Sequence, residues 1–225
     1  MSRAMSEGRV KRRYDSSRRR AQARETRARI LDAARRLFIA RGYAGATMEA
    51  IAAEAGVAVE TVYAIFGSKR TVLARLVDRA VGGDDEPTPI LARPGPKDVE
   101  AEHDQQRQLR GFAHGMSEIM ARVGPLFGVM RAAAPSEPEI AKLLRDVLAA
   151  RRANLAVVVR WLENNGPLRP GLTGEAAADT LWAISSAETH QLLTVDRGWT
   201  AEQYERWLGD SLIALLLPPE RSHPE

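Results

Sequence analysis

Between residues 47 and 69 the chain gathers side chains suited to contact with a nucleic-acid duplex. Thr47 and Lys69 stand at predicted helix starts, where a hydroxyl or an ammonium points donors at phosphate oxygens, and the Tyr63 phenol adds another such donor. Val59, Glu60, Tyr63 and Ala64, with Thr61 beside them, fall on the early, outward side of one short predicted helix. In a major groove Glu60 would accept from the amino group of cytosine, and Val59 or Ala64 would touch the methyl group of thymine. A solvated helix face accounts for the same residues without a ligand. Upstream, Arg18, Arg19 and Arg20 form a run that fits a narrow minor groove.

The charge distribution points the same way. The 225 residues include 33 basic and 29 acidic side chains, a net charge of +4, yet nine of the basic ones lie within residues 1–24 against only Glu7 and Asp15. A basic, flexible arm on a near-neutral body suits a polyanion such as DNA, with a disordered solubilising tail as the alternative. At 44% hydrophobic and 28% charged residues the chain reads as folded, and the lack of cysteine excludes disulfides, thiolate metal sites and thiol nucleophiles. No apolar run approaches the roughly 20 residues that cross a bilayer, so no membrane contact and a cytoplasmic location are expected.

Catalytic signals are thin. His103, His114, His190 and His223 are scattered; only His114 and Glu118, four apart, have ligand-like spacing, and a surface pair is the plainer reading. Glu188 and His190, two apart, point to different helix faces. No phosphate-cradling glycine loop, nucleophile elbow or zinc-binding helix motif occurs. The expectation is therefore no catalytic residue, no metal, no cofactor and no enzyme activity.

These groups need helices to position them, and the apolar spacing supplies helices alone. Ile30, Leu31, Ala34, Leu37 and Phe38 make one helical stripe that Gly42 stops. Thr47 is a candidate N-cap for a second helix carrying Ile51, Ala52 and Ala55, Gly56 turns the chain, and a third helix runs over 59–66. Ser68 opens a fourth, with Val72, Leu73 and Leu76 inward. Residues 82–97, rich in proline and glycine, read as a loop. Beyond it helices are predicted over 100–122 and 125–133, split at Gly124-Pro125; over 137–164, opened by a Ser136/Glu139 capping box; over 174–195; and over 200–217, opened by Thr200 and Gln203. No two-residue alternation bounded by turns appears, so the predicted fold class is all-α.

Two short helices joined by Ala55-Gly56-Val57 are what a helix-turn-helix requires, although a hairpin in an ordinary bundle shares that outline. The wider pattern is more specific. Arg29-Ile30-Leu31-Asp32-Ala33-Ala34, Leu37-Phe38, Gly42-Tyr43, Thr47, Ile51-Ala52, Ala55-Gly56-Val57, Thr61, Tyr63, Phe66 and Lys69 resemble the DNA-binding domain of TetR-family transcriptional regulators. The resemblance covers about residues 25–75 and implies a homodimer of nine or ten helices per chain. It divides the chain into a basic arm (1–24), a helix-turn-helix domain (25–70) and a helical effector-binding and dimerisation body (71–225). It also supports Thr47, Tyr63 and Lys69 as phosphate contacts. Two positions depart from the family pattern: Ala46 where a threonine often precedes the second helix, and Ala58 where a serine or threonine usually caps the third.

In the body, Phe112, Met116, Met120, Phe127, Met130, Trp161 and Trp182 offer adaptable apolar surface for a hydrophobic effector, with Arg110, Arg122, Arg131 and Arg160 available to one carboxylate. Plain core packing explains the same residues. Along the last two predicted helices Leu181, Ile184 and Glu188, and then Tyr204, Leu208, Ser211 and Leu215, recur with the spacing of a four-helix dimer interface or of packing within one chain. The function implied is a sequence-specific DNA-binding regulator, a repressor that a hydrophobic small molecule releases from a palindromic operator. The rival is a helical ligand-binding or enzymatic protein with a basic tail.

Overall fold

The computed structural model describes residues 4–219, with side chains for 18, 19 and 21–219. Ten α-helices, a short 3-10 turn and a π-helical turn make up the regular structure, and no strand occurs among the described residues. The chain falls into two compact units that divide between Leu76 and Val77, inside the fourth helix.

In the first unit, α1 (Ala4–Gly45), α2 (Met48–Ala55), α3 (Val59–Phe66) and the start of α4 (Lys69–Gly82) enclose Ile30, Leu31, Phe38, Ile51, Val62 and Leu73. The helix α1 reaches back to Ala4, through most of the segment predicted as a flexible arm. No proline precedes Pro87, and the arm's many arginines and alanines are good helix formers, so nothing local stops the helix. Arg3 and the Arg20 side chain lie outside the described residues. At Gly42 the backbone turns to φ 69°, ψ 178°, breaking α1 where the sequence predicts its stop. Gly56 ends α2 in the left-handed conformation, and its N–H reaches the carbonyls of Ala52 and Ala53.

In the second unit the remaining residues of α4 are followed by a loop that Arg93 pins. Its guanidinium donates to the Gly82 carbonyl and to both Asp84 carboxylate oxygens, at 2.8–2.9 Å, and holds the Asp84 carboxyl down to about 2. The loop is shorter than predicted, because α5 (Pro94–Ala101) begins on a proline, which a first helical turn tolerates. Helices α6 (Gln105–Ala133), α7 (Pro138–Asn165), α8 (Gly174–Ile184) and α10 (Ala201–Leu216) surround a core of Leu109, Leu155, Leu162, Leu181, Tyr204 and Leu208.

Three expected boundaries differ. The predicted split at Gly124-Pro125 is absent, and α6 passes through Pro125 unbroken. Val123, Leu126, Phe127 and Met130 are buried on both sides of it, while Pro125 and Ala121, whose carbonyl loses its donor, are exposed to water. Ser136 forms no capping box: Glu137 is the N-cap of α7, and the Ser136 hydroxyl donates to the Ala133 carbonyl at the end of α6. The helix predicted over 174–195 breaks at Ser185. Ser186 caps α9 (Ala187–Gln191), and a π-helical turn (Leu192–Asp196) follows. The Thr200/Gln203 capping box forms in full.

Because Ala121 and Pro125 lie on the exposed side of α6 and the buried stripe continues past them, Pro125→Ala restores a helical hydrogen bond without disturbing the core. Thermal unfolding should show a stabilised protein, by up to about 3 kcal/mol. A lower melting temperature would mean that the α6 backbone is shaped around the proline ring.

Candidate nucleic-acid interface and effector cavity

The outward face of α3 follows from what its inward face must do. Val62 and Phe66 are buried, which leaves Glu60, Tyr63 and Ala64 exposed, Tyr63 at 46%. Val59 and Thr61 are half-buried at the flanks. The predicted base-reading residues thus share one accessible strip around the start and middle of the helix. Ala58, at the N-cap, makes no side-chain hydrogen bond, so the first turn of α3 carries N–H groups without a side-chain cap, and Glu60 supplies the acidic group there.

Thr47 caps α2 as predicted. Its Oγ1 accepts from the Ala50 N–H at 3.1 Å, and the residue is exposed, so the hydroxyl hydrogen stays available to an outside acceptor. Arg18 and Arg19 are exposed on α1. Lys69 has a different setting from the one expected. Its Nζ donates to the Tyr43 carbonyl at 2.8 Å and sits 4.1 Å from the centre of the Tyr43 ring, which stacks on Phe38 at 5.8 Å. The ammonium therefore ties the start of α4 to the chain just beyond the Gly42 break. Arg27 lies over the Phe66 ring at 5.1 Å, a second cation–aromatic contact of this unit, made on the inward side of α3.

In the second unit a cavity of about 290 Å³ opens between α6, α7, α8 and α9. Three of the seven predicted effector residues line it: Met120, Phe127 and Trp182. The other four do not. Phe112, Met116 and Trp161 belong to the core or pack against it, and Met130 is fully buried. Helical rise separates them: Trp161 is ten residues beyond Arg151 on α7, about 15 Å, and Phe112 is about 12 Å from Met120 on α6. The wall is also more polar than predicted, with Arg131, Arg151, Ser186 and Glu188.

Arg151 is the residue that sequence reasoning missed. One terminal nitrogen donates to the Trp182 carbonyl at 2.8 Å, and the other donates to the Ser185 carbonyl and hydroxyl at 2.8 and 2.9 Å, closing the C-terminal end of α8. Burial pushes its guanidinium down to about 10, still cationic at neutral pH. Its Nε, the Trp182 Nε1 and the Tyr204 hydroxyl are buried without a hydrogen-bond partner, each costing about 1–3 kcal/mol. Burial also raises the Tyr204 phenol to about 12. A signal was present: Arg151 interrupts the apolar stripe of α7, four residues from both Val147 and Leu155.

The other cations weighed for a carboxylate are occupied or elsewhere. Arg110 pairs with Asp210, Arg131 with Glu188, and Arg122 donates to the Ala80 carbonyl, while Arg160 is exposed and away from the cavity wall. His114 joins Glu205 at 3.0 Å as well as Glu118 at 4.0 Å, and the Glu205 hydrogen bond raises its pKa. Among the described residues no group of three His, Asp or Glu side chains is placed to hold a metal. No helix among them is long and apolar enough to cross a membrane.

The expected interface stripe needs correction. Leu181, Tyr204 and Leu208 are fully buried inside the single chain, because α8 and α10 turn that stripe inward onto α6 and α7. Ile184 and Ser211 are half-buried, and Glu188 and Leu215 are exposed.

The geometry around Lys69 makes a structural demand that can be measured without DNA. Lys69→Met removes a charged hydrogen bond and a cation–π contact, so the first unit should lose about 1–3 kcal/mol of stability in denaturant unfolding. Unchanged stability would return Lys69 to a purely external role.

Residues 30–76 match the family model for bacterial regulatory proteins of the tetR family. Two curated Pseudomonas putida proteins are each 49% identical to this chain over 53 residues, or 24% of it. They are an uncharacterized HTH-type transcriptional regulator, TtgW, and the HTH-type transcriptional regulator SrpR. Those alignments span only 40% and 25% of the relatives' own lengths. The fold extends further. The fatty acid degradation regulator FadR from Bacillus halodurans superposes with a TM-score of 0.66 at 18% identity, over 88% of this chain and 97% of that one. A TetR-family protein from Rhodococcus sp. gives 0.63 at 19%, over 85% and 98%. Residues 30–76 thus carry a helix-turn-helix of the tetR type, and the all-α architecture resembles that of solved TetR-family proteins almost end to end.

Proposed function

We propose that this protein is a sequence-specific DNA-binding transcriptional regulator. It acts as a homodimeric repressor that a small molecule in the second unit releases from a palindromic operator. The observation that carries the reading is the accessible strip of Glu60, Tyr63 and Ala64 on a helix whose other face is buried, beside the exposed, capping Thr47. Val59, Glu60, Tyr63 and Ala64 contact base edges, Thr61 flanks them, and Thr47 and Tyr63 bind phosphate. Lys69 acts mainly by holding α4 against Tyr43. Arg18, Arg19 and Arg20 extend the contact as an arm, whether or not they stay helical before DNA arrives.

In a dimer on DNA, two recognition helices enter successive major grooves about 34–36 Å apart. A ligand that binds better to a body imposing another spacing shifts the population off the operator. Dimerisation then uses the outward remainder of α8 and α10, with Ile184, Ser211 and Leu215, rather than the buried stripe. The relatives' names support transcriptional regulation, and similar folds are known in complex with stearoyl-CoA and with choline.

Footprinting on DNA flanking the coding region tests this reading. The intact protein should protect two symmetric half-sites about one helical turn apart, whereas a protein tethered only by a basic tail would protect no palindrome. In a randomised-site selection, Glu60→Ala should change preference at a few base pairs while leaving nonspecific binding similar or tighter, because an anion leaves the groove. An identical preference would remove Glu60 from the base-reading set. Deleting residues 1–20 should weaken operator binding and flatten its salt dependence; equal affinity and slope would reduce the arm to a solvated extension.

A further inference from the structure

We propose that the cavity of the second unit takes a small apolar monocarboxylate, with the carboxylate bound to Arg151 and the hydrocarbon against Met120, Phe127, Leu148 and Trp182. This deepens the effector reading above and rests on it. The charge on the wall decides the head group. Arg131 pairs directly with Glu188, whose charge also acts on Arg151 without a hydrogen bond to it, so the three charged lining residues together carry one net positive charge. Three of its hydrogen bonds go to neutral oxygens at the end of α8, and Nε has no partner. A largely buried cation whose direct hydrogen bonds all go to neutral acceptors is completed by an anion in contact with it, and a planar carboxylate matches the guanidinium fork better than a spherical ion does. The Trp182 Nε1, also buried without a partner on a lining residue, offers a second donor once the ring shifts toward a ligand.

The volume decides the body of the ligand. A cavity of about 290 Å³ is at the lower end of ligand-site volumes and suits a carboxylate with a medium-length chain or a single ring. The position decides the consequence. Arg151 holds the Trp182 and Ser185 carbonyls at the break between α8 and α9, so a carboxylate on it competes with those carbonyls and loosens or re-forms that junction.

The experiment compares octanoate with octanamide, which has the same number of non-hydrogen atoms and no charge, by calorimetric titration of the full-length protein at neutral pH. Octanoate should bind at one site per chain at least tenfold more tightly than octanamide, and Arg151→Gln should abolish that preference while octanamide binding persists. Equal affinities for the two probes, or a preference that survives Arg151→Gln, overturn the carboxylate proposal and leave the cavity and DNA-binding readings standing. No binding of either probe overturns both the carboxylate proposal and the effector cavity. Should Arg151→Gln fail to fold, the contrast between probes on the unmodified chain still decides the head group. Leu148→Trp, which narrows the cavity, should then abolish octanoate binding; undiminished binding would place the carboxylate elsewhere and sink the assignment.

Discussion

An eight-residue helix has no stability of its own in water, since the cost of nucleating it exceeds what so few hydrogen bonds return. Helix α3 therefore exists only because Val62 and Phe66 are buried against its neighbours. That burial fixes everything the helix offers outward. A rotation of one residue, about 100°, would turn Tyr63 toward the core and move Val62 to the half-buried flank that Thr61 occupies. The left-handed turn at Gly56 sets the angle at which α3 leaves α2, and the Lys69 ammonium, seated on the Tyr43 carbonyl and ring, closes the same small unit from the α4 side. The outward strip of α3 is thus oriented by contacts made on the opposite face of the helix. Glu60, Tyr63 and Ala64 lie outside the core of the unit.

The boundaries legible in the sequence are those decided within a few residues. Gly42, Gly56, Thr47 and the Thr200/Gln203 box each act through backbone conformation or a side chain reaching three residues along, and all four do in the structure what their types require. The boundaries that were not legible depend on burial from elsewhere. Pro125 would end an isolated helix, but the stripe from Val123 to Met130 is held by the core, and Ala121 and Pro125 fall on the exposed side. The break at Ser185 has a local part, the Ser186 hydroxyl that accepts from the Thr189 N–H, and a distant one. The distant one is Arg151, 34 residues earlier in the chain.

The site shows the same division. The strip on α3 could be read from helical spacing, because the apolar positions of that helix define the outward ones by subtraction. The second unit could not be read in that way. A stripe such as Leu181 or Tyr204 and Leu208 has the same spacing whether it packs within one chain or against a copy, and only three-dimensional burial tells the two apart. Large apolar residues are equally silent about whether they fill a core, as Phe112 does, or border a void, as Phe127 does. The informative residue in such a stripe is the one that breaks its chemistry, and in α7 that is Arg151.

A stability argument alone would not keep Arg151 where it is. A well-packed apolar residue at that point of the stripe would avoid the desolvation that pulls the guanidinium down to about 10, and buried charges are often replaced by hydrophobic groups at no loss. The Arg151 Nε, the Trp182 Nε1 and the Tyr204 hydroxyl all lack partners within the same unit. Folded proteins satisfy nearly all their buried polar groups, and the exceptions concentrate where function outweighs packing. The first unit, by contrast, seats the part-buried Lys69 ammonium on a carbonyl and an aromatic face. The two units thus treat charge differently: one seats the Lys69 ammonium on a carbonyl and a ring, and the other leaves the buried Arg151 guanidinium incompletely satisfied beside a cavity, hydrogen-bonded to the end of α8 where α9 begins.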